Sequence, residues 1–274
     1  MHTSSLLLAT LASVSTVMGS PAFPELTHNN AIAGAVDTVS NYFNLLAEKV
    51  QATRQSAGAS TCDLSKAVWP ANNVTPALPP PSDGLVLKHV AIGRGTQNYT
   101  CDLTNATAIP VQVGALATLF NASCVAASYP DVLDMLPRVV MPFNLTDNDI
   151  SVFSARLYPT NLDVSGHHFF ETTTTPFFNL TTPSSQLGQV PCAKNATQAA
   201  PNNTVAGSDA DNRGQLGEKA VPWLKLSAKP GATGGLQEVY RLQTIGGSAP
   251  ATCSGQAASF TIEYAAQYWF YEST

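Results

Sequence analysis

The segment GRGTQNYTC, residues 93–101, begins with the Gly-x-Gly pair that is typical of nucleotide-binding loops. A dinucleotide fingerprint also requires a third glycine and a following helix, because the positive amino-terminal end of that helix binds the pyrophosphate. Asn98 occupies the third glycine position, and no apolar helical pattern follows Cys101. We therefore predict no cofactor and interpret the two glycines as turn residues between strands.

The segment GHHFFE, residues 166–171, holds the richest cluster of ionisable side chains in the chain. On a strand, His167 and Glu171 share one face while His168 lies on the other, so the two histidines cannot bind one metal ion without a bend. The segment DADNRG, residues 209–214, begins like a calcium loop but has an arginine where the third acidic ligand belongs. We therefore predict no metal site.

Two further groups of side chains suggest sugar chemistry. Glycoside hydrolases use two carboxylates that flank the scissile bond, and the candidates for such a pair are Glu171, Glu238 and Glu263. Aromatic rings instead stack on the apolar face of a pyranose while neutral amides bind its hydroxyls. The residues that we assign to such a ligand site are Gln97, His168, Trp223 and Trp269. We favour a binding or structural module over an enzyme, with an extracellular glycoside hydrolase as the alternative.

The composition limits the partners of the protein. Only 11% of the 274 residues are charged, against roughly 25% in typical soluble proteins, and the formal net charge is −5. No basic field is present to attract nucleic acid or anionic lipid, so neither is predicted as a partner. Uncharged polar residues or attached sugar must therefore supply the polarity of the surface.

The amino terminus and the glycosylation motifs predict export. Residues 4–17 form an apolar run that is too short to span a bilayer, and small residues follow, so residues 1–19 are predicted to be a signal peptide. No second apolar run reaches the roughly 20 residues that a membrane span requires. Eight Asn-x-Ser/Thr acceptors start at Asn73, Asn98, Asn105, Asn121, Asn144, Asn179, Asn195 and Asn202. We expect a secreted glycoprotein, extracellular or in the cell wall, with cell-wall or host carbohydrate as its partner.

The five cysteines form no Cys-x-x-Cys pair and have no histidine at zinc-finger spacing. In an oxidising compartment the default is two disulfides and one free thiol. Spacing alone does not determine the connectivity. We predict that Cys101 bonds to Cys124 and Cys62 to Cys253, which leaves Cys192 as a free thiol in a polar loop.

A helical pattern follows the predicted signal peptide. Within residues 20–59, apolar residues recur at alternating steps of three and four, and Val39, Phe43 and Leu46 lie on the resulting stripe. This spacing predicts one amphipathic helix that packs on the main domain through that stripe.

From residue 60 to residue 274 the apolar residues mainly alternate, which is the pattern of half-buried strands. The predicted strands cover residues 85–92, 111–120, 167–170, 176–180, 221–226, 236–245 and 260–271. A short helix is predicted over 129–136 and a long exposed loop over 183–220. We therefore predict a mainly β protein, an antiparallel β-sandwich or barrel with one amino-terminal amphipathic helix and long loops.

Six segments within residues 60–272 carry a family resemblance. They are GRGTQNYTC at 93–101, VGALATLF at 113–120, GHHFF at 166–170, VPWLKL at 221–226, RLQTIGGSAPATC at 241–253 and YAAQYWFY at 264–271. In this order they resemble domain-of-unknown-function family 3455, which consists largely of secreted fungal proteins. The resemblance implies no established activity. Its members are often automatically named malate dehydrogenase, but the incomplete fingerprint and the predicted signal peptide argue against that activity here.

Overall fold

The structure is a computed structural model that describes residues 35–55, 62–70, 74–143, 157, 159–201 and 212–274. Within the first helix, side chains are described from residue 37 to residue 49. The predicted signal peptide, the start of the DADNRG segment and the acceptors Asn73, Asn144 and Asn202 lie outside these residues.

Eight antiparallel strands form a closed barrel in which each strand pairs with its neighbours in the chain and the last strand pairs with the first. The alternating pattern thus predicted a mainly β fold correctly, and of the two predicted architectures the barrel is present. The strands are β1 (Leu85–Thr100), β2 (Val111–Asn121), β3 (Val164–Thr172), β4 (Thr175–Thr182), β5 (Ser185–Gln198), β6 (Trp223–Ala228), β7 (Leu236–Gly246) and β8 (Ser259–Ser273). An eight-stranded barrel is just wide enough for side chains to fill its interior.

The inward side chains form one apolar core. Along β8, alternation places Tyr268 and Phe270 inside the barrel and Trp269 and Tyr271 on its outer wall. The buried residues of this inner core are Ala91, Ala117, Leu119, Phe178, Leu180, Val190, Cys192, Leu226, Leu236, Val239, Tyr264, Ala266, Tyr268 and Phe270.

A second core, here called the outer core, lies outside the barrel, between its wall and three helices. The helices are α1 (Ala35–Gln55), α2 (Ser123–Ser128) and α3 (Pro130–Val140), with a 3₁₀ turn at Leu64–Lys66. Helix α3 contacts β1, β7 and β8, and α1 packs on α3, so these three strands are buried on both faces. In the described ranges, no helix is long and apolar enough to cross a membrane.

Helix α1 exists as predicted, but its packed face matches the predicted stripe only in part, because Leu46 of that stripe packs on the outer core together with Leu45 and Tyr42. Tyr42 is 5% exposed and belongs to the outer core, whereas Phe43 is 37% exposed. Lys49 joins the helix to α3 through an ion pair with Asp131, at 2.6 Å between Nζ and Oδ2. The contact with α3 therefore selects the side of α1 that carries Tyr42.

The interpretation of GRGTQNYTC as a turn is wrong, because the segment continues β1 through Thr100. Neither Gly93 nor Gly95 has a positive φ, so turn geometry does not require them. They are needed for close packing instead. A Cβ on Gly93 would overlap the Tyr268 ring, and one on Gly95 would lie 2.5 Å from the Cα atom of Ala117 on β2.

The predicted exposed loop over 183–220 is also wrong in its first part, where the chain forms β5. Polar and small residues make up most of this strand, and Val190 and Cys192 are its two residues in the buried inner core, so the apolar alternation is too short to identify from the sequence. Cys192 lies on β5 and points into the inner core, not into a loop, and its thiol is free and buried. Burial raises the pKa of this thiol to about 12, so it stays protonated.

The four predicted disulfide cysteines are all paired, but the predicted connectivity is wrong. Cys62 bonds to Cys124, and Cys101 bonds to Cys253. The first bond ties the chain before β1 to α2, and the second ties the end of β1 to the β7–β8 connection. The correct partners become neighbours only when the barrel closes, so spacing could not identify them.

We predict that Gly95→Ala destabilises the barrel, because the new methyl group would meet the backbone of β2, which cannot rotate away as a side chain can. The free energy of unfolding should fall by at least about 2 kcal/mol, as overpacking of a core generally costs. Chemical denaturation followed by tryptophan fluorescence measures this change.

Gly114→Ala on β2 is the matched control, because its Cβ would have its nearest neighbour at an ordinary 3.7 Å, the Cβ of Phe170. Its effect should stay within about 0.5 kcal/mol. Equal stability of the two variants would contradict the close approach of β1 and β2 at Gly95.

Candidate functional site

One end of the barrel is open and forms a cavity of about 420 Å³, here called the mouth cavity. At this end β1, β3, β5 and β7 finish and the other strands begin, so side chains from β2 to β8 line it. Its apolar wall includes Phe170, Phe178, Leu224 and Leu226, and its polar lining includes Gln112, His168, Thr197, Lys194, Arg241 and Tyr268. A cavity of this size accommodates a small organic molecule.

His168, a predicted ligand residue, lines the mouth cavity. As the strand pattern predicted, it lies on the opposite face of β3 from His167, and it is buried. Its ring stacks on Phe178 at 4.2 Å between centroids, and its Nδ1 lies 3.0 Å from the Phe177 carbonyl oxygen. Burial lowers the pKa of His168 to about 4, with a smaller contribution from the Arg241 charge, although the carbonyl acts in the opposite direction. His168 is therefore neutral near pH 7.

Two buried tyrosines of β8 adjoin the cavity, and Tyr268 is part of its lining. The hydroxyls of Tyr264 and Tyr268 lie 2.8 Å apart and both side chains are fully buried. Burial raises the pKa of each phenol above its ordinary value. Both hydroxyls therefore stay protonated and offer hydrogen bonds without charge.

Arg241 supplies a cation to the mouth cavity although it is only 6% exposed. Its Nε and Nη2 atoms both donate to the Pro222 carbonyl oxygen, at 3.3 and 2.9 Å. Sequence reasoning missed this residue. The available signal was its position two residues after Val239 on one face of a predicted strand, but the sequence does not tell which face points inward.

Gln97, the second predicted ligand residue in this region, lies at the same end of the barrel. It is fully buried on β1, and its Oε1 accepts a hydrogen bond from Nε2 of Gln112, which lines the cavity. Its own Nε2 has no hydrogen-bond partner among the described residues. The structure thus places Gln97 and His168 at one end of the barrel.

The two predicted tryptophans are not part of this site. Trp223 and Trp269 are 0% and 1% exposed and belong to the outer core beneath the helices. The indole N–H of Trp269 donates to the Gln267 side chain at 3.0 Å, and its ring lies 5.9 Å from that of Trp69. These rings pack the helices on the wall, so they form no exposed stacking surface.

None of the three candidate carboxylates lines the mouth cavity. Glu171 is exposed at the end of β3. Glu238 is buried on the outer wall, 3.0 Å from Lys225 Nζ, and accepts two hydrogen bonds from Ser82. Burial alone would raise the pKa of Glu238, but the contacts with Ser82 and Lys225 lower it overall. Glu263 is bound to the buried guanidinium of Arg94.

The opposite end of the barrel is filled by His89. Its Nε2 and Nδ1 each lie 2.9 Å from a serine hydroxyl, of Ser165 and Ser123 respectively. Burial lowers its pKa to about 4. No cluster of three or more His, Cys, Asp or Glu side chains that could hold a metal ion occurs within the described residues.

We predict that His89 and His168 make the fold sensitive to mild acid. Above pH 6.5 both are neutral in the folded and the unfolded chain. Between pH 6.5 and about 4 the unfolded chain binds protons that the folded chain excludes, so stability falls as the pH falls. From pH 7 to pH 5 the free energy of unfolding should drop by about 2 kcal/mol per histidine, as measured by denaturation at each pH.

The variants His168→Phe and His89→Gln test the origin of this drop. Each should remove roughly half of the histidine contribution, because each removes one of the two buried groups. A drop that is unchanged in both variants would contradict the assignment. The quantity compared between wild type and variant is the change in the free energy of unfolding from pH 7 to pH 5. A loss of stability that is the same at every pH therefore does not affect the comparison.

The comparisons with known proteins agree with the resemblance carried by the sequence motifs. A family model described as a protein of unknown function, DUF3455, matches residues 81–272, which include the whole barrel except the last residue of β8. No curated protein and no solved structure matches the chain. The match covers well over half of the sequence, and the chain therefore belongs to family DUF3455.

Proposed function

We propose that this protein binds a small organic molecule in the mouth cavity. One observation carries the proposal: aromatic and aliphatic walls enclose about 420 Å³ into which a few polar groups converge. Small-molecule sites in proteins typically have this size and composition. The walls are strands paired on both sides, so the site is largely pre-formed and ligand binding has little ordering cost.

The ligand would occupy the mouth and not the depth of the barrel. Tyr264, Tyr268 and Phe270 belong to the buried inner core of the barrel, and all three are at most 1% exposed. Around the ligand, Phe170 and Phe178 supply aromatic surface, and His168 supplies a neutral ring nitrogen. We therefore expect a compact ligand with a flat apolar part.

The structure also bears on carbohydrate binding and glycoside hydrolysis, the two activities predicted from the sequence. Trp223 and Trp269 cannot stack on a carbohydrate ligand, because both are buried under the helices. We do not extend the proposal to hydrolysis, because Glu238 and Glu263 are each engaged by a cation on the outer wall. Binding without turnover is the function that the geometry supports best.

We also propose that the protein is secreted and N-glycosylated. Two disulfides are compatible with an oxidising compartment, and residues 1–19 have the composition of a signal peptide. Three acceptors, Asn105, Asn121 and Asn195, are exposed. Asn98 and Asn179 are half-buried on strands, which makes them poorer acceptors for a bulky glycan.

Binding can be tested with N-phenylnaphthylamine, a neutral fluorophore whose emission rises in apolar sites. We expect saturable binding to the purified protein and a dissociation constant at least about tenfold higher in Thr197→Trp. Thr197 is exposed and lines the cavity, so an indole there would fill the mouth. Fluorescence titration measures both constants.

Ala193→Trp is the matched control for this experiment. Ala193 is exposed on the same strand but is not part of the cavity lining, so its indole should leave the probe affinity within about twofold. Absence of saturable binding, or equal loss in the two variants, would refute binding in the mouth. Plant and fungal cell-wall oligosaccharides, added as competitors, determine whether a carbohydrate occupies the same site.

Secretion can be tested by expressing the full chain in a eukaryotic host. We expect the protein in the medium, starting near residue 20, with a mass that falls on treatment with peptide N-glycosidase. Asn105→Gln and Asn195→Gln should each remove one glycan if their exposure governs use. Retention in the cytosol with an unchanged amino terminus would refute the proposal.

A further inference from the structure

The charge of the mouth cavity is opposite to that of the whole protein. Its described lining contains Arg241 and Lys194 but no aspartate or glutamate, whereas the chain carries a formal net charge of −5. The other ionisable lining groups add no negative charge. Burial keeps Tyr268 protonated and His168 neutral near pH 7.

The other cations on the barrel wall that are buried to a similar degree have carboxylate partners. On the outer wall, Arg94 is bound to Glu263, and Lys225 lies 3.0 Å from Glu238. Arg241 is buried to a similar degree on the inner face, but within the described residues no carboxylate oxygen lies within 4.0 Å of its guanidinium. The hydrogen-bond partners of its guanidinium include the Pro222 carbonyl oxygen and the Tyr268 hydroxyl, and both of these groups are uncharged.

A buried cation without a counter-charge is costly, and an anion in the same low-dielectric site would be strongly attracted to it. The planar guanidinium matches carboxylate, sulfonate and phosphate oxygens better than an ammonium group does. The aromatic side chains beside it, Phe170, Phe178 and Tyr268, offer surface for an apolar body.

We infer that the ligand of the mouth cavity is a small anion with an aromatic or apolar body, held through its acidic group by Arg241. Lys194 is exposed at the rim, where it attracts the same anion from solution without being buried with it. This inference rests on the proposed function, because it names the ligand class of the same site.

Two probes with the same ring system test the inference separately from the proposed function. N-phenylnaphthylamine is neutral, and anilinonaphthalenesulfonate adds one sulfonate to that skeleton. We expect the wild-type protein to bind the anionic probe at least about tenfold more tightly than the neutral probe. Arg241→Met should abolish this preference by weakening the anionic probe at least about tenfold, and its far-UV circular dichroism spectrum should match that of the wild-type protein.

Three further variants separate a specific anchor from a general charge effect. Arg241→Lys should retain part of the preference, because it keeps the charge but not the planar group. Lys194→Met should weaken the anionic probe by no more than about threefold at physiological salt, because its charge is exposed. Lys66→Met, an exposed charge on the 3₁₀ turn outside the barrel, should change nothing.

The results distinguish the proposed binding in the mouth cavity from the inferred preference for an anion. If both probes bind equally, or if Arg241→Met keeps the preference for the anion, the inference is overturned while binding in the mouth stands. If neither probe binds saturably, the proposed function and the inference fail together. Preference for the anion that depends on Lys66 as much as on Arg241 would also overturn the anchor role.

Discussion

The pairing of β1 with β8 is the constraint on which the rest of the structure depends. These long strands pair from Leu85 with Ser273 to Thr100 with Ser259, and their pairing turns a meander of neighbouring strands into a barrel without free edges. Closure at eight strands also makes the interior narrow, so the side chains on β2 and β8 reach the backbone of β1. A Cβ at Gly93 would collide with Tyr268 of β8, and a Cβ at Gly95 would collide with the backbone of β2, so glycine is needed at both positions. A narrow, filled interior leaves space for a ligand only where the side chains end, which is the mouth.

Burial of the wall on both faces explains why the aromatic residues were misassigned from the sequence. In a strand with one solvated face, an aromatic residue opposite the core face is a reasonable candidate for stacking on a sugar. Trp269 occupies such a position on β8, but α3 and the segment containing Trp69 cover that face. The alternation along a strand predicts an apolar face and an opposite face. It does not predict that a helix from elsewhere in the chain covers the opposite face.

The parts of the fold that depend on local pattern could be predicted, and those that depend on closure could not. The span of β8 and the presence of α3 follow from strong periodicity within about a dozen residues. Strand β5 was missed because polar and small residues make up most of it, which leaves Val190 and Cys192 as a short inward signal. The disulfide partners and the inward face of β7 are set by contacts between distant segments. Of the residues predicted as ligand contacts, His168 lines the mouth cavity and Gln97 lies beside it, whereas Arg241, which also lines it, was not identified from the sequence.

The charge states of the side chains that line the mouth cavity also follow from their burial. Burial lowers the pKa of His168 and raises that of Tyr268, so both side chains are uncharged near neutral pH and act as hydrogen-bonding groups alone. The buried positive charge of the mouth is thereby concentrated on Arg241. In a site largely shielded from water this charge is weakly screened, so its effect on a bound group exceeds that of an exposed lysine. For a ligand bound there as proposed, shape and aromatic surface determine how well it fits the mouth cavity, and its charge determines how strongly Arg241 attracts it.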